Sequence, residues 1–529
     1  MNRKSFKQIA LHPPLCKRGV RGDLSVAKIH KSPSVPLMQS GRRFEFSKGL
    51  LGPAALMIAL AGCSMMPEYQ RPAAPVSAAW PENIQHDSIR PGDANKTAGT
   101  TWQQYFSDPR LQALIAVALE NNRDLRIATA RIAEARAQYG IQHADRFPTV
   151  NLSGSRSASL TPASASSTGN DLHVQRYDAG LSLVSYELDF WGRVGSLDAA
   201  AKASYLSTEA AQRAFRLSLI ADVANAYLSL LEMSERSRFA DETVRTRAAT
   251  KELIARRREL GVSGDLEFLQ SEGAYQASLA ERANLERQQA AAENLLNLLL
   301  GKSMGELKEL PAGRSLAEQG MTPDRVAGLP AELLLQRPDV MAAEHKLIAA
   351  NANIGAARAA FFPRISLTGS MGVASRNLSG LFDSDNKAWA FQPALTLPLF
   401  DAGRTSANVD VAEARKVVAV AEYEKTIQQA FREVADLLNA RGKLAEQLAA
   451  QLANAEAQKQ RTQLVDARFK AGIANHLEVL DAQRESFAAE QGAIQVRRMW
   501  LSANAQLYKA LGGEGNAADV NTSSGVAVK

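Results

Sequence analysis

The chain has 529 residues, 46% of them hydrophobic but only 6% aromatic, with two cysteines and a formal charge of +7. Residues 1 to 62 hold eleven Lys and Arg against two Asp and Glu, a surplus of nine, which leaves the rest of the chain at −2. That argues against a basic surface for nucleic acid, and so few cysteines leave neither a disulfide framework nor a cysteine-based metal site.

The first recognisable element is the apolar run "GLLGPAALMIALAGC" at residues 49 to 63, preceded by Arg42, Arg43 and Lys48. A membrane-spanning helix takes roughly 20 apolar residues. This run is shorter and contains a proline, so it reads as a secretory signal peptide. Its ending, Leu60-Ala61-Gly62-Cys63, resembles the lipobox of bacterial lipoproteins. The resemblance implies cleavage before Cys63, multiple acylation of that cysteine, as stable anchoring requires, and an outer-membrane destination, since Ser64 rather than aspartate follows. Residues 1 to 37 are basic and irregular and are expected to be a mis-assigned start, with Met38 as the true one and 38 to 62 as the signal. Residues 63 to 101 then form a lipid-anchored N-terminal segment.

Beyond residue 101 the chain repeats itself. Residues 124 to 155 align without a gap on 339 to 370, with eleven of 32 positions identical, among them Gly140/Gly355 and Phe147-Pro148/Phe362-Pro363. Farther on, "GVSGDLEFLQ" at 261 to 270 matches "GIANHLEVLD" at 472 to 481. A first copy, 102 to 310, is joined by a connector, 311 to 328, to a second, 329 to 512, and a polar tail follows at 513 to 529.

Each copy opens with helical periodicity, as at Leu111, Leu114, Ile115 and Ala118, and the Phe-Pro pair stops it. The period then changes to two. Val150 and Leu152 alternate with Asn151 and Ser153, and Ile365, Leu367, Met371 and Val373 alternate with Ser366, Thr368 and Ser370. A polar loop and a second alternating run complete each hairpin, at about 148 to 190 and 363 to 400. In the second runs Tyr177, Ala179, Leu181 and Leu183 share one face, and Trp389, Phe391, Leu395, Leu397 and Leu399 share another. From Arg193 to Gly261, and again from Arg404 to Gly472, there is no proline. Each stretch is long enough for about 100 Å of helix at 1.5 Å per residue. Turns at 261 to 264 and 472 to 475 reverse each into a shorter helix.

The hairpin strands have the length and weak alternation of transmembrane β-strands, with aromatic residues near their ends. Open sheet edges are not tolerated in hydrocarbon, and single-chain bacterial barrels begin at eight strands. Four strands per chain therefore require several chains in one barrel: three copies give twelve, two a tight eight. The rival reading is a lipid-anchored periplasmic coiled-coil scaffold without a pore, which leaves the recurring hairpins unexplained.

Taken in order, the lipobox, "PEYQRP" (67 to 72), "DPRLQALIAVALENNRDL", "YELDFWGR", "LPAELLLQRPDV", "FFPRISLTGS", "LPLFDAGR" and "LEVLDAQR" resemble the outer-membrane factors of tripartite efflux systems, in the lipoprotein, NodT-type branch of the TolC-like channels. The resemblance covers essentially all of 63 to 512. It implies a mainly α homotrimer with a shared twelve-stranded membrane β-barrel and a long periplasmic α-helical barrel. The implied partners are a periplasmic adaptor protein, an inner-membrane RND-type pump and outer-membrane lipid. The function it implies is passive exit of small molecules from that pump across the outer membrane.

No catalytic, cofactor or metal pattern competes with this. None of the seven histidines has a partner at triad or metal-ligand spacing, and no P-loop, GxSxG or HExxH run is present. A conduit acts where it narrows, so attention falls on the glycine turns at the ends of the long helices. Glu478 and Asp481 stand at i and i+3 and can share a helix face with Leu477. The same spacing fits, equally well, a solvated face with Leu477 and Leu480 packing. The resemblance implies that Leu477 and Asp481 close the periplasmic entrance, with Glu478 beside them. The first-copy counterparts are Leu266, Glu267 and Gln270; Gln270 replaces the carboxylate, so closure falls mainly to the second hairpin. Arg256, Arg257, Arg258, Arg468 and Lys470 are expected to hold the carboxylates in interhelical salt bridges. The turn residues Gly261, Gly264, Gly472 and Asn475 are expected to meet the adaptor.

Overall fold

Asp108 shows how the first helical layer is set. Its Oδ1 accepts from the Arg110 backbone N–H at 2.9 Å and caps α2 (Pro109–Asn121), which follows the single turn α1 (Trp102–Tyr105). Its Oδ2 accepts from the Tyr227 hydroxyl at 3.0 Å, from Gln319 and from the Arg314 N–H. One buried carboxylate thereby fastens the connector onto the first copy. The computed structural model describes residues 64–77, 101–167, 169–307, 309–321 and 331–513, all within the unit Leu60–Lys529. The leader, Cys63 and residues 514–529 lie outside the described residues.

The opening helix of the first copy is broken. Asn122 leaves helical geometry, caps α3 (Arg123–Ala144) by accepting from Leu125 N–H at 2.8 Å, and donates through Nδ2 to the Leu299 carbonyl at 2.9 Å. The long helices are α4 (Arg193–Glu259) and α7 (Arg404–Lys470), each returning as a shorter helix, α5 (Asp265–Leu300) and α8 (His476–Ala510). The second copy opens with a 3-10 turn, Ala331–Gln336, and α6 (Pro338–Ala359). The helix α4 packs on α3, α5, α6 and α8, and α7 packs on α6 and α8. Small residues permit this: Ala200, Ala203, Ala210, Ala221, Ala224 and Ala240 on α4 are all buried. The largest core cluster joins α1, α2, the middle of α4 and the end of α5 to Tyr508, with Phe106, Leu114, Ile115, Leu296 and Leu300 fully buried. Each such side chain is worth about 1.5–3 kcal/mol in burial.

The strands are β1 (Val150–Thr161), β2 (Leu172–Glu187), β3 (Arg364–Ser375) and β4 (Lys387–Thr396). They form one antiparallel sheet in the order β1-β2-β3-β4, so the two copies meet at the β2/β3 seam. At its centre Gly180 stands directly opposite Gly372. The outer edges of β1 and β4 have no partner within the described residues. Apolar side chains stand out from the sheet with nothing over them: Leu152 is 82% and Trp389 81% exposed. Two details go beyond or differ from the alternation read in the sequence. The pairing of β2 on β3 shifts between Leu183 and Tyr186, where Ser185 takes φ 47°, a bulge that breaks the two-residue period. The last strand stops at Thr396, so Leu397 and Leu399 lie beyond it.

Sheet turns into helix at two elbows. Gly192 (φ 69°) and Gly403 (φ 85°) occupy the left-handed region that glycine adopts without strain. Asp189 accepts from Val194 and Gly195 N–H, and Asp401 from Thr405 N–H, to start α4 and α7. Glu187 receives both arms of Arg193 at 2.7 Å and Arg364 at 2.6 Å. The segment 64–77 lies along this junction. Ser64 packs on Gly192, Met66 sits against Gly355, and Asn351 donates to the Pro67 carbonyl at 2.8 Å. Arg71 then forks onto Glu344 at 2.6 and 2.9 Å while the Tyr69 hydroxyl donates to the same carboxylate at 3.1 Å.

Candidate functional site

At the ends of α4 and α7 distant from the sheet, the chain makes the same turn twice. Gly261 (φ 72°) and Gly472 (φ 74°) are left-handed. Val262 and Ser263 N–H both donate to the Arg257 carbonyl, as Ile473 and Ala474 N–H do to Arg468. These are helix C-caps that satisfy otherwise orphaned carbonyls. The entries to the return helices differ. Asn475 caps α8 by accepting from Glu478 N–H at 2.9 Å. Its counterpart Gly264 has no side chain to do so, and Ser263 instead donates to Glu267 at 2.7 Å. Leu260, Val262, Leu266, Leu269, Ile473 and Leu477 are each more than half exposed, an apolar rim on both turns.

Asp481 sits between two arginines. Arg461 Nη2, across on α7, donates to Oδ2 at 2.7 Å, and Arg484 Nη2, three residues along α8, donates to Oδ1 at 2.7 Å. All three side chains are well over a third exposed, so each pair contributes about 0.2–1 kcal/mol. Glu478 faces Arg468 at 3.9 Å, the outer limit of an ion pair. The other cations expected on these carboxylates are engaged elsewhere. Arg258 binds Asp265 at 2.7 Å, Lys470 binds Asp466 at 2.6 Å, Arg256 binds Glu252, and Arg257 lies 5.5 Å over the Phe469 ring. The reason is reach: an acidic residue four positions back, or just across the turn, is nearer than the carboxylates of α8. Arg461 was legible by a different count. It precedes Gly472 by nearly as many residues as Asp481 follows it, which sets the two side by side in an antiparallel hairpin.

His476, the first residue of α8, is 1% exposed, and neither ring nitrogen has a hydrogen-bond partner. The Phe469 ring lies 5.7 Å away. Among the described residues no three His, Cys, Asp or Glu side chains converge as a metal set would.

The arrangement is a pair of matched helical hairpins with charged, apolar-rimmed tips, carried on a sheet with two open edges, and comparison with known proteins finds the same organisation. The family model described as outer membrane efflux protein matches residues 114–302 and again 329–513, one match per copy. A curated relative, the probable efflux pump outer membrane protein TtgC of Pseudomonas putida, is 42% identical over 467 residues, covering 88% of this chain and 96% of its own. Among solved structures, a membrane protein from Pseudomonas aeruginosa is 42% identical with a TM-score of 0.78, over 86% of this chain and 99% of that one. The open state of the MtrE outer membrane channel of Neisseria gonorrhoeae is 39% identical with a TM-score of 0.74, over 85% and 98%. With both internal copies matched and nearly the whole length of each relative covered, the chain belongs to the outer membrane efflux protein family.

Proposed function

We propose that this chain is the outer-membrane exit channel of a tripartite efflux pump, a passive homotrimeric conduit that carries small molecules from an inner-membrane pump and its periplasmic adaptor across the outer membrane. The observation that carries the reading is the four-stranded sheet with free edges at β1 and β4 and apolar side chains facing outward. Such edges must be closed in hydrocarbon, and three sheets of four strands joined edge to edge make a barrel of twelve. The long helices then continue that barrel into the periplasm. The chain works as a conduit and not as a catalyst.

Leu477 and Asp481 narrow the periplasmic entrance, with Glu478 beside them. Threefold repetition makes a carboxylate ring that favours cations in a constriction. Leu266, Glu267 and Gln270 line the first-copy half of the mouth and contribute less charge. The turns at Gly261, Gly264, Gly472 and Asn475, with their exposed apolar rim, receive the adaptor. Cys63 carries the acyl anchor. Ser64 packs on Gly192 where the sheet gives way to helix, and this supports the reading.

Native mass spectrometry of protein extracted from membranes in detergent, followed by planar-bilayer recording, tests the whole reading. The expected result is a trimer of chains beginning at acylated Cys63 that conducts. A monomer without lipid or conductance would return the molecule to the scaffold class.

A further inference from the structure

His476 sits between the two hairpins at the mouth. It projects from the start of α8 into a site that receives side chains from three other helices. Phe469 of α7 lies 5.7 Å from its ring. Arg257 of α4 lies over that phenyl ring, 5.5 Å from its centre. Glu267 of α5 and the same Arg257 are the charged groups whose fields reach the imidazole. Other charges at the two turns pair with one another: Arg258 with Asp265, Lys470 with Asp466, Arg468 with Glu478. The imidazole is 1% exposed and both its nitrogens are without partners.

A neutral imidazole always carries one N–H. Burying that donor unpaired is unfavourable, and a second proton would add both another unpaired donor and a charge. Parting the two hairpins gives both nitrogens water. We infer that His476 is a positioning residue of the gate: neutral, it wedges the second hairpin against the first and keeps Leu477 and Asp481 in place; protonated, it drives the hairpins apart, so that mild acid opens the mouth. The inference rests on reading this mouth as the channel's entrance.

Burial holds the His476 pKa below its ordinary value; Glu267 pulls the other way, and Arg257 adds to the lowering. The sign follows. Above the exposed-histidine value of about 6.5 the engaged and parted states bind protons equally, and pH has no effect. Below it the parted state binds more, and its population rises by up to about tenfold per pH unit per chain until the buried imidazole itself titrates.

The test is open probability of the purified trimer in planar bilayers between pH 7.5 and 5.5, a window above the ordinary range of the carboxylates. The wild type should open several-fold more at the acid end, up to about tenfold for each chain that parts, and His476→Phe, which keeps the ring and removes the titration, should show a flat profile. A variant with the parental pH profile, or a wild type indifferent to pH while conducting normally, overturns the inference and leaves the channel reading intact. Absence of conductance at every pH would overturn both. Should the variant fail to assemble, modification of the wild type by diethyl pyrocarbonate decides. The rate at His476 relative to exposed His173 should be low at pH 7.5 and rise at pH 6; a ratio unchanged with pH refutes the mechanism.

Discussion

The sharpest structural prediction concerns the seam between the two copies. A Cβ added at Gly372 would overlap the Ala179 carbonyl oxygen and lie 2.6 Å from the Gly180 Cα; one added at Gly180 would lie 2.5 Å from the Met371 carbonyl oxygen. The obstructing atoms are backbone, so no side chain can swing aside and the strands themselves must separate. Overpacking of this kind costs about 1–3 kcal/mol per site, and a trimer with one such seam per chain bears it three times. Against this stands the relief of glycine's chain entropy, about 0.5–1 kcal/mol. That relief is common to any glycine in the sheet and can therefore be controlled for. At Gly369 an added Cβ would meet only the Ala390 carbonyl at 3.6 Å, and at Gly154 only that of Asp178 at 3.9 Å, both ordinary contacts. Gly372→Ala should thus lower the temperature at which the trimer dissociates on a semi-native gel, while Gly369→Ala and Gly154→Ala leave it unchanged or slightly raised. If Gly372→Ala and Gly369→Ala behave alike, close backbone approach is not what selects glycine at the seam.

Three further outcomes are expected. Asp481→Ala should alter single-channel conductance and reduce cation preference, and Arg461→Ala, which frees one oxygen of the same carboxylate, should change gating with little effect on thermal stability, since the pair is half solvated; unaltered recordings for both would remove Asp481 from the entrance. Glu344→Gln should release the segment 64–77, because it replaces two charge-assisted bonds between Arg71, half exposed, and a carboxylate only 10% exposed, a change that solvent screening at the arginine limits to about 1 kcal/mol per bond. Early thermolysin cleavage near Val76 would report it, and wild-type resistance would count against the clamp. Tyr227→Phe takes a donor from fully buried Asp108 and should cost about 1–3 kcal/mol, seen as a lower midpoint in thermal melts with conductance retained.

Much of the fold was legible because it is written in periods. The change from 3.6 to 2 at each Phe-Pro pair marks the strands, and the proline-free runs mark α4 and α7, which each comprise 67 residues. What escaped is where a single side chain overrides the period. Asn122 splits an otherwise continuous helical pattern because its amide satisfies backbone groups on two elements at once. Ser185 adopts a left-handed φ with no glycine to announce it. At the mouth, proximity to the turn suggested five cations of which Arg468 alone faces a carboxylate of α8, since short-range pairing within a helix captures Lys470 and Arg256 first. The fork of Arg71 on Glu344 joins residues 273 apart, a contact no local pattern encodes.

That fork also says something about ancestry. In the gapless alignment of the two copies, Thr129 stands where Glu344 stands, and a threonine hydroxyl cannot accept a guanidinium on two parallel bonds. After duplication the halves were no longer interchangeable: one kept or acquired the lock for the segment 64–77, the other did not. A chimera built from two first halves would lose the clamp on the segment 64–77, whereas one built from two second halves would offer that one segment two moorings. The molecule thus has a direction written into it that its repeats alone would not supply, with three moorings around the assembled ring and not six.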